Sequence, residues 1–75
     1  MAPGEQRTMA EGMVASLEAR LENEPNNLDG WVMLMRSRMT LGEPAKAREA
    51  LDNAVAANPA EADELRRQAE QLGIN

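Results

Sequence analysis

Two prolines, Pro25 and Pro59, stand 34 residues apart, each just after a segment whose apolar residues recur at helical spacing. Between them, Gly42 and Pro44 break the intervening stretch near its middle. This punctuation divides the chain into four short segments, and none of them alternates at period two. The chain therefore reads as all-α, with loops of a few residues that make successive helices antiparallel neighbours.

The first segment runs from about Thr8 to Glu22, with Met9, Met13, Leu17 and Leu21 as an apolar stripe and Val14 widening it. The second runs from about Asn27 to Leu41. Trp31, Leu34, Met35 and Leu41 share one face, and Val32, Met33 and Met39 make the segment apolar nearly all round, as befits a helix between neighbours. Gly42 is placed to end it in the left-handed conformation that glycine reaches without strain. Pro44 suits the first turn of a third helix, from about Pro44 to Ala57, presenting Ala47, Leu51, Ala54 and Val55. The fourth opens on Asn58-Pro59-Ala60-Glu61, where Asn58 can cap and Glu61 can close a capping box. Leu65, Ala69 and Leu72 mark its apolar side, and Gly73 ends it.

Length and composition narrow the function classes. Seventy-five residues make one domain. Residues 8–72 form the helical domain, between a disordered N-terminal tail (1–7) and a C-terminal tail (73–75). Without cysteine or histidine there is no disulfide, no thiolate metal site and no common general base. Glu61, Asp63 and Glu64 read as first-turn acids at a helix N-terminus and not as an active site. No catalytic residue, cofactor site or metal site is expected. A net charge of −5 and a single aromatic residue argue against nucleic acid. The opening MAPGEQRTMA holds no apolar run long enough for a signal peptide or a span, so no direct membrane contact is expected of this chain.

A 34-residue period is that of the tetratricopeptide (TPR) repeat, and the residues fall on its pattern. Trp31 takes the early Trp, Leu34 the next Leu, Gly42 the inter-helix turn, Ala47 and Ala54 the small positions, Leu51 the large apolar position between them, and Pro59 the terminal Pro. The chain resembles a TPR-like antiparallel array of four helices, one full repeat (Leu28 to Glu61) flanked by two half repeats. Leu17 aligns with Leu51 and Pro25 with Pro59, while Leu65 stands where a following unit would carry Trp. Two positions depart from the family. Met35 stands where a small residue is common, and Arg38 replaces an expected Tyr. Arg38, semi-buried, calls for a carboxylate, with Glu49 and Glu18 as candidates.

The resemblance narrows further. The run Met13-Val14-Ala15-Ser16-Leu17-Glu18-Ala19-Arg20-Leu21, followed by Glu24-Pro25 and then Gly30-Trp31-Val32-Met33-Leu34 with Arg36-Ser37, is similar to the periplasmic TPR part of CycH-type cytochrome c biogenesis proteins. That resemblance implies an adaptor holding a polypeptide, the C-terminal helix of apocytochrome c, for haem ligation. It also implies a periplasmic location within a membrane-anchored protein; a chain complete as it stands would be cytoplasmic.

In TPR units the first helix of each pair lines the concave face. By that resemblance the second helix offers Asp29, Val32, Arg36, Met39 and Thr40 to a partner, and the fourth offers Asp63, Arg66, Arg67 and Glu70. Arg36 with Arg66 or Arg67 would suit a partner's C-terminal carboxylate, because guanidinium forks match carboxylates. The plainer reading of these charges is a solvated face laced by Asp63–Arg67 and Arg66–Glu70 pairs. Trp31 reads as core. Met33 and Met39 are divided between groove and internal contact. A self-associating helical unit, possible as a homodimer, and a cytosolic TPR adaptor are the alternatives, since one repeat and two halves fall short of the usual array.

Overall fold

The computed structural model describes residues 3–74. Four helices follow in order: α1 (Pro3–Asn23), α2 (Leu28–Thr40), α3 (Pro44–Ala57) and α4 (Ala62–Gln71), the last entered through a 3₁₀ turn, Pro59–Glu61. No strand occurs among the described residues. The helix α1 takes in residues 3–7, which the sequence reading leaves in a tail; Pro3 fits a first helical position, where its missing N–H is no loss. Met1, Ala2 and Asn75 lie outside the described residues.

The turn into α2 is closed by Asn27 N–H donating to the Glu24 carbonyl (3.1 Å). Asn27 then caps α2, its Oδ1 accepting from Gly30 N–H at 3.1 Å. Gly30 lets this first turn press on α1, since a Cβ there would stand 2.9 Å from the Asn27 side chain and 3.1 Å from Leu21. At the other end of α2, Gly42 adopts φ +73°, with Gly42 N–H donating to Met39 C=O and Glu43 N–H to Arg38 C=O. The same arrangement ends α4. Gly73 has φ +85°, its N–H donates to Glu70 C=O, and Ile74 N–H donates to Ala69 C=O. Residues 73 and 74 are thus not a loose tail. Ile74 is buried in the core, because this cap turns the side chain after the glycine back onto its own helix.

The core lies where α2 meets its three neighbours. Val14, Leu17 and Leu21 of α1, Trp31, Leu34 and Met35 of α2, Ala47, Ala50, Leu51 and Ala54 of α3, and Leu65 and Ala69 of α4 are all buried. Met35 and Leu65 are its largest fully buried side chains. Met9 and Met13 are exposed, at 63% and 48%, against the core stripe the sequence suggests. The reason is geometric. Residues four apart on a helix drift by about 40° per step, so a strict i+4 stripe winds off one face. The face that packs is Val14, Leu17 and Leu21, with Ala10 at its edge.

Two polar devices tie the hairpins together. The Pro25 carbonyl accepts from Trp31 Nε1 (2.8 Å) and from Asn58 Nδ2 (2.7 Å). Asn58 Nδ2 donates also to Ala54 C=O at 3.1 Å. Against the sequence expectation, Asn58 does not cap through its side chain and Glu61 closes no capping box; Pro59 leads into a tight 3₁₀ turn, and the Asn58 amide faces back to the preceding corner. The second device is Arg38, whose side chain is mostly buried. It donates to Glu18 (3.1 Å) and Glu43 (3.0 Å), which also pairs with Lys46 (3.3 Å). Glu18 was a sequence candidate. Glu49 is not in this network, and Glu43 reaches Arg38 through the glycine cap that folds it back over the end of α2. The Arg38 hydrogen bond holds the Glu43 carboxyl below the usual glutamate range; its partial burial opposes this and Lys46 adds to it.

Candidate functional site

A connected pair of hairpins sends α2 and α4 in the same direction, with α3 returning between them. The two parallel helices leave a groove of about 610 Å³. Its α2 wall is Leu28, Asp29, Val32, Met33 and Arg36, and its α4 wall is Glu64, Leu65 and Gln68. The α2 residues follow from the helix itself. With Trp31, Leu34 and Met35 turned to the core, positions 29, 32, 33 and 36 fall on the opposite side. Leu65 is buried and forms the floor, Val32 and Leu28 are half-buried, and Met33 is 45% exposed.

Of the residues singled out from sequence, Asp29, Val32 and Arg36 meet in this groove. Met39 and Thr40 do not line it. The half-buried Met39 packs on the core and approaches the glycine that ends α4, where its methyl would lie 3.8 Å from a Gly73 Cβ. Thr40 lies at the exposed C-terminal end of α2, its hydroxyl donating to Arg36 C=O at 3.0 Å. On α4 the structure separates the four expected residues. Arg66 and Glu70 line a second groove of about 490 Å³ against α3, with Arg48, Leu51, Asp52, Val55 and Ile74. Asp63 is exposed beside Arg66 (3.9 Å), and Arg67 pairs with Glu64. The pairs are therefore i,i+3, where the sequence reading had Asp63–Arg67 and Arg66–Glu70 at i,i+4. A joint Arg36–Arg66 or Arg36–Arg67 clamp is not assembled, since Arg66 looks toward α3 and Arg67 is held by Glu64.

The α4 residues that do line the first groove, Glu64, Leu65 and Gln68, are not among the four the sequence reading names there. The structure turns α4 differently. A signal for this was present in the Leu65–Ala69–Leu72 stripe, whose two flanks are Glu64 and Gln68 on one side and Arg66 and Glu70 on the other.

The electrostatics of the groove are uneven. Glu64 is engaged, Oε1 accepting from Gln68 Nε2 at 3.0 Å and Oε2 facing Arg67. The Asp29 carboxylate and the Arg36 guanidinium enter no ion pair or hydrogen bond among the described residues. The groove thus offers an apolar strip edged by one free carboxylate and one free guanidinium. Among the described residues no cluster of histidine, cysteine or acidic side chains has the makings of a metal site. No helix of the described residues is long and apolar enough to cross a membrane.

Comparison with known proteins places these features in a longer context. The chain is homologous along its whole length to the cytochrome c-type biogenesis protein CycH of Rhizobium meliloti (strain 1021), at 38% identity over 78 residues. Over 96% of its length it is 32% identical to the protein of the same name from Bradyrhizobium diazoefficiens. The chain spans about a fifth of the length of these curated relatives. No family model matches it, and no solved structure matches it significantly.

Proposed function

We propose that the chain is a TPR-like module that serves cytochrome c biogenesis by holding a polypeptide, the C-terminal helix of apocytochrome c, in the α2–α4 groove for haem ligation. The observation that carries this reading is the groove itself: a partly exposed apolar strip between two parallel helices, edged by Asp29 and Arg36, whose opposite charges are unpaired among the described residues. Such a strip suits an amphipathic segment. The TPR-like reading of the fold rests on the 34-residue spacing of Pro25 and Pro59 and on the helix hairpin between them. The cytochrome c link rests on homology to the two CycH proteins. In this reading the module binds and releases without catalysing a step, and it works in the periplasm as part of a membrane-anchored protein.

Titration of the isotopically labelled chain with an apocytochrome c C-terminal helix peptide tests the proposal. Saturable shifts at Val32, Met33 and Leu65, with tighter binding than a scrambled peptide, are expected. Equal affinity for both peptides, or shifts confined to α1 and α3, would overturn it.

A further inference from the structure

We infer that the groove has a direction: it takes an amphipathic helix lying antiparallel to α2, with a basic side chain against Asp29 and an acidic one, seven residues earlier in the partner, against Arg36. This rests on the reading of the groove as a polypeptide site and adds to it the partner's shape, charge order and orientation.

The charges come first. Asp29 and Arg36 are exposed and unpaired among the described residues, and both stand on the wall of the apolar strip. Because α2 and α4 run in the same sense, Glu64 near the start of α4 joins Asp29 at one end, while Gln68 lies toward Arg36. Glu64 is already shared with Arg67 and Gln68, so Asp29 supplies the free negative charge. The partial positive charge of the α2 N-terminus does not cancel it. That field acts on Asp29, which stands in the first turn, but amounts to only about half a charge, and Asn27 already takes up one of its N–H groups.

Spacing then selects a helix. Seven residues along α2 separate the two charges by about 10 Å. A helical partner places side chains seven apart on one face, at the same separation and with apolar residues between them. An extended partner covers about 10 Å in three residues, and side chains three apart on a strand point to opposite faces. Only a helix puts both charges on the groove while its apolar side rests on Val32, Met33 and Leu65.

Direction follows from the partner's own dipole. A helix is favoured when its acid lies toward its N-terminus and its base toward its C-terminus. With the base at Asp29, the partner's C-terminal end lies over the start of α2, and the two macrodipoles oppose. In the Arg36 position the chain therefore grips an acidic side chain inside a helix, in place of a terminal carboxylate.

The test uses a helical peptide with Glu and, seven residues later, Lys on its apolar face's margin, bearing a nitroxide at its C-terminus. Bound to the labelled chain, it should broaden the amides around Leu28 and Asp29 and spare those around Arg36 and Ser37. In the double variant Asp29→Lys/Arg36→Glu, whose exposed positions leave the core untouched, the broadening should move to the Arg36 end. A peptide with Gln at both charged positions should bind about two- to thirtyfold more weakly at low salt, the range of two exposed ion pairs. A peptide that occupies the groove but broadens both ends equally, or the Arg36 end in the parent chain, overturns the direction while leaving the groove reading intact. A peptide that shifts no groove resonance overturns both.

Discussion

Replacing Asn58 by aspartate exchanges one NH₂ for one oxygen and leaves the shape of the side chain unchanged. Two accounts of this residue predict opposite signs. As a helix cap, Asn58 would use its oxygen, and aspartate would serve as well or gain a few tenths of a kcal/mol from the helix dipole. In the structure the residue instead donates through Nδ2, to Pro25 C=O at 2.7 Å and to Ala54 C=O at 3.1 Å. Aspartate loses both bonds and sets a carboxylate against two carbonyl oxygens. A neutral hydrogen bond is worth about 0.5–1.5 kcal/mol net, and the Pro25 bond is solvent-exposed, so the sum is about 1–2 kcal/mol. In a domain of this size that lowers the melting temperature by about 5–15 °C. Trp31 is the sole tryptophan and donates to the same Pro25 carbonyl, so its fluorescence reports on this corner while circular dichroism follows the helices. Asn58→Ala separates loss of the donor from oxygen–oxygen repulsion and should fall between parent and Asn58→Asp at pH 7. Acidification below the aspartate pKa should restore part of the loss, because a protonated carboxyl regains one donor. An Asn58→Asp chain that melts at or above the parent at pH 7 refutes the donor role.

Three further outcomes follow from the packing and charges. Met35→Ala, at a fully buried position, should cost about 2–5 kcal/mol in urea unfolding; a loss under about 1 kcal/mol would mean the core closes over the space. Ile74→Ala should destabilise by about 2 kcal/mol or more, whereas Met13→Gln should stay within about 0.5 kcal/mol, the reverse of what a C-terminal tail and a core stripe would give. Glu43 titrates at lower pH in the folded chain than in the unfolded one, so its contribution is complete above the ordinary glutamate pKa of about 4.3 and is lost as pH falls through the lower folded value. Glu43→Gln should therefore flatten the acid limb of a melting-temperature profile and leave the profile's shape at neutral pH unchanged.

The helices and most of the core were legible because they depend on local signals. Gly42 and Gly73 take the positive φ that glycine accepts, and Leu17, Leu51, Trp31 and Leu65 are buried where helical periodicity puts them. What was not legible depends on how one element is rotated against the next. Met9 and Met13 look like core until α1 is docked, and only docking shows that Val14, one residue on from Met13, is the one turned inward. Half the groove was hidden for the same reason. Asp29, Val32 and Arg36 could be placed because α2 has a clear core face, but Glu64 and Gln68 depend on the rotation of α4. Asn58 was misread because the sequence shows a cap-forming residue before a proline and says nothing of Pro25, 33 residues earlier in the chain and next to it in space.

The two positions that depart from the TPR pattern make sense when each is taken with its surroundings. Met35 puts bulk where a small residue is common; it is fully buried, in a core to which α3 contributes the alanines Ala47, Ala50 and Ala54. Arg38 brings charge to a mostly buried site, where an unpaired guanidinium would be heavily disfavoured. It is met by Glu18 from α1 and by Glu43 from the turn beyond α2. A tyrosine there would pack α2 against its neighbours; the arginine adds a directional link from α2 to α1 on one side and to the α2–α3 turn on the other. Both substitutions act on the side of α2 that faces α1 and α3. On the opposite wall Asp29, Met33 and Arg36 are exposed and half-buried Val32 packs on the core from the groove side, so neither departure falls on this wall.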